Sequence, residues 1–171
     1  CSNLESVSLP NGIKKIESRV FLNCKKLESV GLPAELTKLN DRVFEGCSSL
    51  KYIVIPNLVK SMGKSIFEDC TALDSVRIDC IIDEIDNEAF RHCHSLRTIN
   101  IPVSVKEIGS KAFEECIALK SITLPVTLQS IENDAFAKCA MLQSVTIPPA
   151  VKVIGSDAFR ECSSLTTVDL P

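Results

Sequence analysis

The amino-acid sequence predicts an α/β solenoid: a right-handed arc of about seven coils, with a parallel β-sheet on its concave face and short helical turns opposite. Three observations predict it. All seven phenylalanines recur every 23 residues, at Phe21, Phe44, Phe67, Phe90, Phe113, Phe136 and Phe159. Cysteine keeps the same period at Cys1, Cys24, Cys47, Cys70, Cys93, Cys116, Cys139 and Cys162, and leucine keeps it from Leu4 to Leu165. A fixed period of this length marks a unit that buries its apolar face only by stacking on its neighbours.

Each coil opens with a strand. Paired apolar residues two apart, such as Val7/Leu9, Ile53/Ile55, Val76/Ile78 and Val145/Ile147, put one face of a short extended segment in the core. Pro follows in seven of eight copies, Pro171 being the last, and ends the strand because it has no N–H to donate; Asp79 replaces it in the fourth. Val105, Ile108 and their equivalents anchor a second short extended or irregular segment. The column Glu17, Asn40, Gly63, Asp86, Gly109, Glu132, Gly155 is rich in residues that tolerate left-handed backbone. The next column, Ser18, Asp41, Lys64, Asn87, Ser110, Asn133, Ser156, is rich in helix N-caps. Together they predict one helical turn over Lys111–Glu115 and its equivalents, with Ala112 and Phe113 pointing inward and the phenylalanines stacked in one column.

Residues 1–171 read as one domain of seven 23-residue repeats and a partial eighth. Neither end carries an atypical capping repeat, so the chain is expected to be part of a longer protein. The cysteine column predicts a ladder of buried free thiols, because ladder side chains point the same way and not at each other. Cys80 stands where other copies carry Asn11, Ala34, Asn57, Val103, Val126 and Pro149, and is expected to be more exposed.

The formal net charge is −3, from 19 basic and 22 acidic residues. With no basic footprint, one Tyr and no Trp, nucleic acid is not an expected partner. No apolar run approaches the ~18 residues of a membrane span.

The pattern Leu-x-x-Val-x-Leu-Pro, combined with Val-x-x-Ile-Gly-x-x-Ala-Phe-x-x-Cys-x-x-Leu at Val105–Leu119 and Val151–Leu165, resembles the BspA-like class of leucine-rich repeat proteins along the whole chain. The resemblance implies a leucine-rich repeat arc, found in surface proteins of bacteria and protists and linked to adhesion to host proteins, matrix or other cells. It supplies no catalytic residues. The fourth copy, Asp79–Asp86, departs from the pattern.

Information in a solenoid resides in outward columns that vary between coils. The two outward strand columns are mostly Ser and Thr, and Tyr52, Val54, Arg77 and Asn100 interrupt them on three adjacent coils. Tyr and Arg are favoured anchors of protein interfaces, so these four are expected to centre a protein-binding patch on the concave face. Ile117, Ala118, Ala140 and Met141 form a second candidate, an apolar edge where other copies carry Ser, Asn or Lys. The acidic run Asp79, Asp83, Glu84, Asp86, Glu88 matches no calcium-loop spacing and reads as a solvated face. His92 and His94 flank an inward Cys93, facing solvent and badly placed to activate it, and two His with one Cys do not complete a zinc site. No catalytic residue, metal or cofactor is therefore assigned.

The expected function is non-catalytic binding of another protein (matrix, host or assembly component) by a cell-surface adhesion or recognition module. An intracellular or assembly-bound structural scaffold is the alternative, favoured by the absence of any Asn-x-Ser/Thr sequon and by thiols that look reduced.

Overall fold

The computed structural model describes residues 1–170, so the last Pro of the strand-ending column, Pro171, lies outside the described residues. Every β-pairing is parallel and joins residues 23 apart, as in Ser6↔Ser29, Tyr52↔Ser75 and Ser144↔Thr167. The chain is thus a solenoid of about seven coils in register. Strands Ser6–Ser8, Ser29–Gly31, Tyr52–Ile55, Ser75–Ile78, Thr98–Ile99, Ser144–Thr146 and Thr167–Asp169 line one side. The second apolar segment is itself a strand in every coil but the third, where Met62 makes a single bridge with Leu39. Glu84–Ile85, Glu107–Ile108, Ser130–Ile131 and Val153–Ile154 form a four-stranded sheet on another side, and Lys15–Ile16 pairs with Lys38–Leu39.

Between the two strand-bearing sides runs one continuous core. The Phe rings stack with centroids 5.2–5.5 Å apart and interplanar angles of 1–14°. Phe44, Phe67, Phe90, Phe113 and Phe136 are fully buried. Each coil so depends on its neighbours for the apolar burial that a single coil cannot achieve alone.

The third side corrects the sequence-based expectation of helical turns: no helix is present among the described residues. The N–H groups of Lys111, Phe113 and Glu115 donate to the carbonyls of Asn133, Ala135 and Ala137 on the following coil, at 3.0, 2.8 and 2.9 Å. The alternate N–H groups of Ala112, Glu114 and Cys116 close turns on Gly109, Lys111 and Phe113. Half the donors a helix would need are committed between coils, and the ladder wins.

The left-handed residues also fall elsewhere. They are Lys111 (φ 57°) and Glu115 (φ 60°) and their equivalents, not the Gly63/Gly109/Gly155 column. Those glycines answer a close approach instead. A Cβ on Gly109 would lie 2.7 Å from the backbone N of Asn87 and 2.9 Å from the carbonyl carbon of Asp86. In the column read as N-caps, the Asn87 and Asn133 side-chain oxygens accept the N–H groups of Ser110 and Ser156 at 2.8 Å, and Asp41 accepts that of Lys64 at 3.1 Å. Asx on one coil and Gly on the next therefore alternate, because the oxygen reaches across only where no Cβ intervenes.

Cys80 is a further correction: it is buried, not exposed. Without a Pro at 79, the Asp79 N–H donates to the Ile55 carbonyl at 3.0 Å and the extended chain continues. Period-two alternation then buries Val76, Ile78, Cys80 and Ile82 and exposes Arg77, Asp79 and Ile81.

Candidate binding face

The four candidates on the strand face are brought together. Tyr52 and Val54 lie opposite Ser75 and Arg77, and the same sheet continues to Thr98–Ile99 beside Asn100. Tyr52, at 47% exposure, stands between two depressions of about 400 and 390 Å³. One is lined by Ser29, Gly31, Val54 and Pro56, and the other by Ser75, Arg77, Thr98 and Asn100.

The first depression marks a break in the ladder. The strand side is divided into separate sheets, and no β-pairing joins Ser29–Gly31 to Tyr52–Ile55. Main-chain donors and acceptors at this break have no cross-strand partner there, and Gly31 projects no side chain over them. Sequence reading placed Gly31 in the right column and did not single it out. The available signal was that Gly31 is the only glycine in the column running from Ser8 to Asp169.

Arg77 and Asn100 differ in kind. Arg77 Nε and Nη2 donate to Asp79 Oδ2 at 3.0 and 2.7 Å, a pair made possible by the extended backbone at Asp79. The Asp79 hydrogen bond and charge raise the Arg77 pKa further. Asn100 is a structural residue in addition to any contact it makes: Oδ1 accepts the Ile78 N–H and Nδ2 donates to the Ile78 carbonyl, both at 2.8 Å. Its amide replaces the ladder partner that the shorter Thr98–Ile99 strand does not provide.

The second candidate separates. Ile117 and Ala140 line a depression of about 570 Å³ with Glu115, Lys138, Glu161 and Ser163. Ala118 and Met141 lie outside that lining, on the adjoining column, with Ile117 and Met141 exposed and Ala118 half-buried.

The acidic run is dispersed over different partners. Asp79 pairs with Arg77, Asp83 with Lys106 at 3.3 Å, and Glu88 accepts from Ser65 Oγ at 3.0 Å. Burial raises the Glu84 carboxyl, its acidic neighbours adding to the effect. On the turn side Arg91 bridges two coils, 3.0 Å from Glu68 and 2.9 Å from Glu114, both largely buried.

All nine cysteines are free, and Cys1 is exposed. Six thiols, from Cys47 to Cys162, donate to the carbonyl of the Phe one coil earlier, at 3.1–3.2 Å. Burial pushes Cys47 up to about 12 and Cys80 to about 11, and raises Cys70, Cys93 and Cys116 well above the ordinary thiol range. Cys93 points into the core, so neither flanking histidine is positioned to deprotonate it. His92 Nδ1 instead lies 2.8 Å from Asp69 Oδ1.

The family model for the BspA type leucine rich repeat region matches residues 1–116 and 83–171, in six copies. The chain belongs to this family. Among solved structures, this BspA-type chain is 34% identical to a leucine rich cell surface protein of Faecalibacterium prausnitzii, with a TM-score of 0.85 over 97% of this chain and 47% of that one. It is 27% identical to a leucine-rich repeat protein of Eubacterium ventriosum, with a TM-score of 0.88 over 98% of this chain and 44% of that one. A leucine-rich repeat protein of T. pallidum is also 27% identical, with a TM-score of 0.87 over 95% of this chain and 78% of that one. The BspA-type segment thus spans about half the length of the first two relatives. Among curated proteins none matches the sequence. No helix among the described residues is long and apolar enough to cross a membrane.

Proposed function

We propose that this BspA-type repeat segment is a non-catalytic module that binds a partner protein across its strand face, and that it serves adhesion or recognition at a cell surface. One observation carries the reading. Tyr52, the only exposed aromatic side chain among the described residues, stands beside a break in the strand ladder at Gly31, with Arg77 on the next coil. An amphipathic ring next to main-chain groups without cross-strand partners suits an extended segment of another protein, which supplies both apolar contact and backbone hydrogen bonds. The name of the Faecalibacterium relative supports the surface assignment. Buried thiols with raised pKa values, a Cys93 thiol committed to the Phe67 carbonyl and a His92 ring held on Asp69 support a non-catalytic role.

The test is a paired pull-down of the chain and a Tyr52→Ala/Arg77→Ala double variant against matrix proteins and a lysate of the source cell. A matrix or host protein captured by the wild type and lost by the variant supports adhesion. An intracellular assembly component lost in the same way moves the module to the scaffold reading. Equal capture by both proteins refutes the strand face as the site and directs attention to Ile117 and Ala140.

A further inference from the structure

We infer that the chain pairs with a second copy of itself, antiparallel, through the side formed by its second strands. The outward column of that side reads Lys15, Lys38, Ser61, Glu84, Glu107 on successive coils, and all five residues are exposed. Its charge reverses halfway along. The β-pairing sets like charges against each other in both halves, Lys15 opposite Lys38 and Glu84 opposite Glu107. Like charges directly opposite on neighbouring strands destabilise a sheet. Lys15 finds Glu17 at 2.9 Å, whereas Lys38, Glu84 and Glu107 make no ion pair among the described residues. Burial, and after it the charges of Asp86 and Glu107, raises the Glu84 carboxyl, in keeping with this crowding.

A column that changes sign along its length is complementary to itself turned end for end. A two-fold axis in the contact plane, running across the coils between the third and the fourth, sets Lys38 of each copy against Glu107 of the other. The adjoining column agrees. Lys60 makes no ion pair among the described residues, and the same axis brings it to Asp83 of the second copy. Asp83 already meets Lys106 at 3.3 Å, but that pair is largely exposed and exchanges at little cost. At the corner of this side Leu58 and Ile81, on the two central coils, are 50% and 79% exposed. The axis places Leu58 of one copy beside Ile81 of the other, an apolar centre with charge pairs around it. A parallel pairing would set lysine on lysine and glutamate on glutamate, so the charges fix the direction. An occupant of this face must carry both signs in reversed order, and a second copy does. Tyr52 and Arg77 belong to the other strand side and stay open in the pair.

The experiment is sedimentation velocity on the chain with Cys1→Ser, which prevents disulfide-linked dimers through the exposed thiol. A monomer–dimer equilibrium is expected at about 200 µM protein in about 50 mM salt, weakening roughly tenfold in about 500 mM salt. Lys38→Glu sets acid against acid and Glu107→Lys sets base against base, so each variant alone should lose about tenfold or more in dimer affinity. An equimolar mixture of the two variants should dimerise again, because each offers the sign the other lacks at both pairs. Each substitution also relieves a like-charge pair within its own chain, so neither should lower the urea midpoint, and lost pairing is thereby told from lost folding. A chain that stays monomeric under the low-salt conditions, a dimer that both single variants leave intact, or a mixture that remains monomeric would each overturn the inference. Loss of the dimer in Tyr52→Ala/Arg77→Ala would do so as well, by moving the contact to the other strand side.

Discussion

The thiol of Cys93 donates a hydrogen bond of 3.1 Å to the main-chain carbonyl of Phe67, one coil earlier in the aromatic column. The same carbonyl accepts the N–H of Cys70, also at 3.1 Å. The cysteine and phenylalanine columns are therefore one device. Cysteine fills a small apolar site while satisfying the second lone pair of a buried carbonyl, which alanine cannot do and serine does with a shorter reach.

Alkaline stability follows from this device. Thiols with raised native pKa values keep their protons in the folded chain while the unfolded chain loses them above about pH 8.5. The unfolded state then binds fewer protons than the native state, so stability falls as pH rises, by up to ~1.4 kcal/mol per pH unit for each such thiol. Urea midpoints are expected to hold from pH 6 to 8 and fall steeply from pH 8.5 to about 11. Cys93→Ala should reduce that slope, and native-state alkylation at pH 7.5 should label Cys1 alone.

The aromatic column predicts a large cavity penalty at its centre and a smaller one at its end. Phe90 stacks on Phe67 and Phe113 at 5.4 and 5.3 Å and is fully buried. Phe90→Ala should cost on the order of 3–5 kcal/mol and lower Tm by roughly 10 °C. Phe159, half-buried with one stacked neighbour, should cost visibly less on truncation. Thermal denaturation checks both, and a shift of a degree or two for Phe90→Ala contradicts the stack.

Two glycines separate packing from binding. A Cβ on Gly109 meets backbone atoms of the previous coil under 3.0 Å, so Gly109→Ala should destabilise the chain by about 2 kcal/mol or more. At Gly31 the nearest atom is the Ser8 hydroxyl at 3.8 Å, an ordinary contact. Gly31→Ala should leave the urea midpoint within about 0.5 kcal/mol of wild type, and larger side chains at Gly31 should reduce partner capture by filling the depression beside Tyr52.

Asn100 and Arg77 should behave oppositely when truncated. Asn100→Ala leaves the Ile78 N–H and carbonyl without their side-chain partner, at about 1–3 kcal/mol. Asn100→Asp should also destabilise, because a carboxylate cannot donate to the Ile78 carbonyl. Arg77→Ala, on an exposed pair, should change stability by less than about 1 kcal/mol. Equilibrium urea unfolding distinguishes them, and a stability loss for Arg77 equal to that for Asn100 would contradict the assignment.

The candidate site was legible only in part. Tyr52, Val54, Arg77 and Asn100 stand out from sequence because they interrupt a column of small hydroxyl residues, and the structure gathers them on adjacent strands. The broken ladder at Gly31 was not legible, because the 23-residue period there is intact and says nothing of whether two in-register strands pair.

The sequence by itself determined the repeat, its register, the inward columns and the family, since a strict period leaves one way to bury Phe, Leu and Cys together. Only the tertiary structure decided what the backbone does between those columns. Lys111, Phe113 and Glu115 spend their N–H groups on the next coil and no helix forms, while Asp79, free of a proline ring, donates its N–H to the Ile55 carbonyl and the chain turns Cys80 inward. Propensity is a property of a segment read alone, and a hydrogen bond to a neighbouring coil exists only once the coils are stacked.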